Sequence, residues 1–176
     1  MQDLKIRKYP EGILRKKAVK VGMVTEYEKS ILSEMANIMY LNQGVGLAAV
    51  QVGINKQLAV IDIGEGLIKL VNPVIVKKDG VETQEEGCLS CPGLSVKIKR
   101  ARRVVVNFLN ENGDFTELKT DGLLARAVQH ESDHLSGKLI IDYLGPVKKM
   151  LAKKKLSMHS AQKTERDYEP IRKNRI

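Results

Sequence analysis

The chain has 176 residues, 43% of them apolar and 29% charged, with a formal net charge of +9. That length suits one domain with a sizeable core and leaves little for a second. No apolar run approaches the roughly 20 residues of a membrane-spanning helix. The segment Met1 to Arg7 lacks the apolar stretch of a secretory signal, so a cytoplasmic protein with no membrane partner is expected. Two cysteines, Cys88 and Cys91, exclude a disulfide framework and leave both thiols free for metal in a reducing compartment.

Residues 1–24 read as irregular to extended, punctuated by Pro10 and Gly12. Thr25-Glu26-Tyr27-Glu28 is a capping box, and Ile31, Leu32, Met35, Ile38 and Met39 behind it fall at helical spacing. That helix should end between Leu41 and Gly44 and serve packing alone. Gly44 to Gly53 follows, rich in small residues, where backbone can come close to a ligand or to another strand. It lacks the Gly-Lys-Ser/Thr ending of a phosphate loop. Within it, Gln51 fits two roles equally: a donor to a developing oxyanion, or an amide that satisfies loop backbone.

Strand patterns come next at 58–63, 68–71, 74–78, 81–84, 95–100, 103–109 and 115–119. Gly64-Glu65-Gly66, Asn72-Pro73, Asp79-Gly80 and Glu111-Asn112-Gly113 mark turns between them. Asp121 is the expected N-cap of a second helix and Gly137 its stop; Leu124, Ala127, Val128, Glu131 and Leu135 form its stripe. After Gly145-Pro146 a last helix is expected from Val147 to about Ser160. Strands followed by a helix predict an α+β fold: antiparallel sheets packed around a central metal-binding helix, with a C-terminal helix. Residues 1–150 are expected to form a single catalytic domain, with 151–176 a basic helix or tail extending from it. Between Val147 and Ile176 ten basic residues stand against three acidic ones, which places +7 of the +9 there. Such a segment is either a solvated helix or a foothold on a polyanion such as RNA.

The chemistry concentrates in Gln129-His130-Glu131-Ser132-Asp133-His134. Histidines at i and i+4 leave a helix on one face and can reach one metal ion, with Glu131 on the adjoining arc as a general base. A catalytic site of this type wants a third protein ligand and an open position. Glu86-Gly87-Cys88-Leu89-Ser90-Cys91 offers Cys88, since the neighbouring glycine lets the backbone turn close to the ion. Cys91 leaves two alternatives open: a closed Cys₂His₂ structural site, or a redox dithiol.

Three stretches, Gly44–Gln51 (Gly-x-Gly-Leu-Ala-Ala-x-Gln), Glu86–Ser90 (Glu-Gly-Cys-Leu-Ser) and Gln129–His134 (Gln-His-Glu-x-Asp-His), in this order and at these separations, resemble the three motifs of the peptide deformylases. The resemblance runs from residue 1 to about 150. It implies removal of the N-formyl group from the N-terminal methionine of nascent polypeptides, releasing formate. It further implies Cys88, His130 and His134 as metal ligands, Glu131 as acid and base, and Gln51 with the Leu89 N–H as oxyanion donors. The family is typically iron(II)-dependent and accepts zinc, nickel or cobalt, all of which suit one thiolate and two imidazoles. The basic tail is similar to the C-terminal helix of bacterial members, so the ribosome is a further expected partner. Leu123, Arg126 and Ala127 precede His130 by seven, four and three residues, which places them near the metal face of the helix. Leu123, Ala127 and the stem of Arg126 are expected to line a methionine pocket. Val45, Gly46 and Gly87 would flank the groove that takes the peptide. Two departures from the family pattern stand out. Cys91 occupies a position that is apolar in many relatives. Gly93-Leu94-Ser95 replaces an arginine that pairs with the motif glutamate, so Glu86 must find a partner among Lys97 to Arg103.

Overall fold

The computed structural model describes residues 4–166, with side chains described through residue 158. Helix α1 spans Glu26–Leu41 and opens on the expected capping box: the Glu28 carboxylate accepts from the Thr25 N–H at 3.0 Å, and Thr25 Oγ1 accepts from the Tyr27 N–H at 3.3 Å. Its buried face carries Ile31, Leu32, Met35 and Met39, which pack on Leu47, Leu58 and Val60 of the sheet beneath.

Seven strands follow: β1 Gly46–Ala48, β2 Leu58–Ile61, β3 Ile68–Asp79, β4 Glu82–Glu86, β5 Val96–Arg100, β6 Arg103–Leu109 and β7 Phe115–Asp121. All pairings among them are antiparallel. One sheet runs β1-β2-β3-β6-β7, and β4 with β5 forms a separate hairpin. The expected turn at Asn72-Pro73 is a correction: β3 passes straight through it as one strand, with shifts of register against β6 between Val71 and Val74 and again between Ile75 and Lys77. Asn72 takes a positive φ of 53°, and its side chain bonds both the N–H and the C=O of Val21 at 2.8 Å. A bulge so anchored takes up the residue that proline cannot pair. Strand β1 was not expected either; three residues are too few for alternation to show.

Helix α2, Gly122–Leu135, lies against the sheet, burying Ala125, Ala127 and Val128 on Ile61, Leu70, Val106 and Phe108. Asp121 stands at the N-cap position but makes no side-chain capping bond. The other end closes as expected. Gly137, at φ 77°, donates to the His134 carbonyl at 3.0 Å, and Lys138 N–H reaches the Asp133 carbonyl at 2.9 Å. A Cβ at Gly137 would also lie 2.5 Å from the Arg15 carbonyl oxygen, so no other residue fits that stop. Helix α3 spans Pro146–Arg166. Ala152 and Leu156 on it are buried with Leu14, Ile98 and Ile141, so the packed core continues past residue 150. Residues 167–176 of the basic tail lie outside the described residues.

Candidate metal centre

Helical spacing brings the two imidazoles together: His130 and His134 Nε2 are 3.2 Å apart, one turn separating their residues. Cys88, in the loop between β4 and β5, presents its Sγ 3.2 Å from His134 Nε2. All three donor atoms lie within 4.8 Å of one another, and they are the metal-capable group found among the described residues. Ligand bonds of about 2.0–2.3 Å in a tetrahedron give donor–donor edges of roughly 3.3–3.6 Å. The two 3.2 Å separations about His134 are close to such edges, and the third donor pair lies within 4.8 Å, so one thiolate and two imidazoles fit a single divalent ion. Cys91 stands outside the group. It is 1% exposed and packed with Leu14, Leu139 and Ile140. The neighbouring Cys91 thiol, despite burial and together with the nearby histidines, holds the Cys88 thiol well below the ordinary thiol range, whereas Cys91 is pushed up. The sulfur in the group is thus the one whose surroundings favour the thiolate, the form that binds metal.

Behind His130 sits Glu86, 7% exposed, whose Oε2 is 2.9 Å from His130 Nδ1. This fixes the imidazole with Nε2 toward the sulfur, as a carboxylate–histidine–metal arrangement requires. Glu86 itself is held from two sides. Arg100 bonds it through Nε at 2.6 Å and an NH group at 2.9 Å, and Arg126 adds a third bond at 2.6 Å. Burial works against the Glu86 charge, but His130 and Arg100 outweigh it and bring the carboxyl down to about 2. The same negative groups act on His130. Burial disfavours its charge, yet Cys88 and Glu86 raise it to about 10, so protons and a divalent cation compete for one electrostatic well.

Glu131 is 4% exposed, and burial raises its carboxyl above the ordinary value against the pull of both histidines. Its Oε2 has no hydrogen-bond partner among the described residues, which leaves a buried polar oxygen on a residue that lines the site. Oε1 lies so close to Gly46 that a Cβ there would meet it at 2.4 Å. Gly46 therefore makes the room in which the carboxylate sits. Gln51, from the 3-10 turn at Ala49–Val52, accepts from the Ala48 N–H at 2.8 Å through Oε1. That bond aims Nε2 at Ser90 Oγ, 3.2 Å away, and toward Cys88 Sγ at 3.7 Å. The oxygen thus satisfies backbone, one of the two roles foreseen for this amide, while the N–H₂ is turned toward Ser90 and Cys88.

A groove of about 1160 Å³ opens onto these groups. Val45, Gly46, Gln51, Gly87, Cys88, Leu89, Leu123, Arg126, Ala127, His130 and Glu131 all line it, while His134 lies beneath at 1% exposure. Arg126 contributes only part of itself. Its guanidinium is buried at 5% exposure and bonds Glu86 and the carbonyls of Ile98 and Glu82. Ser90, fully buried beside Gln51, and Asp133, behind Arg100, fall inside the motifs read from the sequence but were given no role there, and Tyr143, bonded to Asp133, carried no signal of its own. Arg100 did, since it falls inside the window searched for a partner of Glu86.

Comparison with known proteins agrees with this geometry. The sequence model of the polypeptide deformylases matches residues 3–150, a span that holds every group just described. The chain belongs to the polypeptide deformylase family. A peptide deformylase of Thermoanaerobacter pseudethanolicus is 48% identical over 137 residues, covering 78% of this chain and 86% of the relative. One from Thermodesulfovibrio yellowstonii is 44% identical over 160 residues, covering 88% of the chain and 97% of the relative. Among solved structures, a peptide deformylase from Legionella pneumophila superposes with a TM-score of 0.87 at 40% identity, over 95% of this chain and 99% of that one. An Ehrlichia chaffeensis peptide deformylase in complex with actinonin gives a TM-score of 0.87 at 35% identity, over 90% and 98%. Membership in the deformylase family makes the chain a hydrolase that depends on a metal, and its α+β architecture is that of its structural neighbours.

Proposed function

We propose that this chain removes the N-formyl group from the N-terminal methionine of nascent polypeptides, with Cys88, His130 and His134 holding the ion and Glu131 moving the proton. The observation that carries the reading is the convergence of those three donors beside a buried carboxylate at the floor of an open groove. A divalent ion bound there supplies Lewis acidity, lowering the pKa of water and polarising the formyl carbonyl. Glu131 accepts a proton from the attacking water at its unpartnered carboxylate oxygen, Oε2, and returns it to the departing amine. Burial raises its carboxyl above the ordinary carboxylate value, which favours holding the proton between the two transfers. Gln51 Nε2 and the Leu89 N–H donate to the former carbonyl oxygen as negative charge develops on it. Leu123, Ala127 and the stem of Arg126 take the unbranched methionine side chain, and Val45, Gly46 and Gly87 flank the extended peptide.

Iron(II) is the proposed native metal, with zinc, nickel or cobalt as substitutes, since one thiolate and two imidazoles accept each of them. The proposed setting is the cytoplasm; no helix among the described residues is long and apolar enough to cross a membrane. Residues 1–150 form the proposed catalytic domain. The basic extension is the proposed contact with the ribosome, supported by the +7 charge carried between Val147 and Ile176. Anaerobically iron-loaded protein offered formyl-Met, acetyl-Met and internal-amide peptides tests the activity. Rapid formate release from the first alone is expected; cleavage of the internal amide at a comparable rate overturns the reading.

A further inference from the structure

Asp133 sits inside the His130–His134 segment yet points away from the metal group. Its Oδ2 accepts from Arg100 at 2.9 Å and from the Tyr143 hydroxyl at 2.6 Å, and the same Arg100 NH group lies 3.2 Å from the Tyr143 oxygen. Each edge of the Arg100 guanidinium is therefore assigned: Nε and one NH group to Glu86, the other NH group to Asp133. Glu86 in turn holds His130 Nδ1. Four elements of chain are joined by this line, since Tyr143 comes from the 3-10 turn Ile140–Tyr143, Asp133 and His130 from α2, Arg100 from β5 and Glu86 from β4.

We infer that Asp133 and Tyr143 are positioning residues for the metal ligand His130, acting through Arg100 and Glu86. Two physical effects combine. The first is orientation. Glu86 Oε2 is shared between Arg100 and His130, so a guanidinium free to turn takes the carboxylate with it and rotates the imidazole out of line with Cys88. The second is charge. Glu86 and Asp133 balance Arg100 and Arg126, leaving the buried cluster neutral. Removing the Asp133 carboxylate leaves one guanidinium unbalanced behind His130, because arginine does not give up its proton. That positive charge opposes a divalent cation at the ligand in front. Tyr143→Phe keeps the ring that Lys138 covers at 3.6 Å and removes only the hydroxyl with its bonds to Asp133 and Arg100, so it tests orientation without changing charge.

This inference rests on the assignment of Cys88, His130 and His134 as the metal ligands. The test is the affinity of the full chain for zinc and cobalt, measured by competition with a chelator, together with the visible absorption of the cobalt form. Asp133→Asn should weaken binding by about 10- to 100-fold, the usual effect of losing a group that orients a ligand, and shift the cobalt bands. Tyr143→Phe should weaken it several-fold in the same direction. Asp79→Asn, which removes an exposed carboxylate paired to Arg103 rather than to Arg100, should leave affinity within about twofold. A role confined to packing would lower the melting temperature of metal-free and metal-loaded protein equally. The positioning role instead narrows the gap between the two. If Asp133→Asn does not fold, Tyr143→Phe decides alone. Parental affinity and spectrum in the folded variants overturn the inference, whereas a parent chain that binds neither metal overturns the ligand assignment beneath it.

Discussion

Gly46→Ala isolates the space in which Glu131 works, because it adds one carbon atom and removes no functional group. The new Cβ would meet Glu131 Oε1 at 2.4 Å, Cδ at 3.0 Å and Cγ at 3.2 Å, whereas ordinary contact begins near 3.4 Å. The carboxylate and strand β1 must therefore separate by about 1 Å, the difference between those first and last distances. The strand has little freedom to yield, since Leu47 and Ala48 beside it are fully buried and paired to β2. The carboxylate moves instead. A 1 Å misplacement of a reacting group costs on the order of 10²-fold in rate, and the overpacking itself costs about 1–3 kcal/mol of stability. Formate release from a formyl-Met peptide should fall by about 10²-fold in kcat/KM while bound metal stays stoichiometric, because no ligand is touched. Gly12→Ala, where an added Cβ meets nothing within 4 Å, is the matched control. A Gly46→Ala protein with parental kcat/KM would refute the claim that Gly46 makes room for a working Glu131.

Glu28 gives a pH-dependent prediction away from the metal. Burial disfavours its charge, but bonds from Lys56 and Thr25 outweigh that and hold the carboxyl down to about 2. A lowered folded pKa stabilises the fold above the unfolded value of about 4.3 and loses that contribution as pH falls toward 2. Glu28→Gln should thus cost about 1–2 kcal/mol in urea unfolding at pH 7, and the difference from the parent should shrink at pH 3. Leu156→Ala should cost about 2–4 kcal/mol in the same assay, since this α3 side chain is 2% exposed in the core; a cost near zero would show that α3 is not part of it. Replacing the exposed Lys148, Lys153 and Lys154 by glutamate should leave formate release unchanged. It should also weaken binding to ribosomes and flatten its salt dependence; unaltered affinity would remove the proposed contact.

What the sequence disclosed was local or carried by charge. The capping box at Thr25, the stop at Gly137 and the histidine pair each depend on spacing within one helix, and each appears where spacing puts it. Cys88 could be selected because a glycine precedes it and the ion needed a third donor. Which sulfur faces the histidines was settled only by folding, which buries Cys91 with Leu14 and Leu139. Gly46 read as a point of close approach, but what approaches it, Glu131, comes from another element altogether. Asn72-Pro73 misled because its turn chemistry is real; the anchor that turns it into a bulge lies at Val21, remote in sequence. The Arg126 side chain illustrates the same limit. Its stem was placed by helical geometry, whereas its head is drawn to Glu86, a partner forty positions earlier in the chain.

Glu131→Gln, prepared with the metal in place, tests the central claim most directly. The substitution preserves shape and leaves Cys88, His130 and His134 untouched, so metal content and melting temperature should match the parent. Formate release from a formyl-Met peptide should fall by about 10²- to 10⁴-fold, the usual share of a positioned proton carrier. A fully metallated Glu131→Gln protein that releases formate at the parental rate would contradict the account.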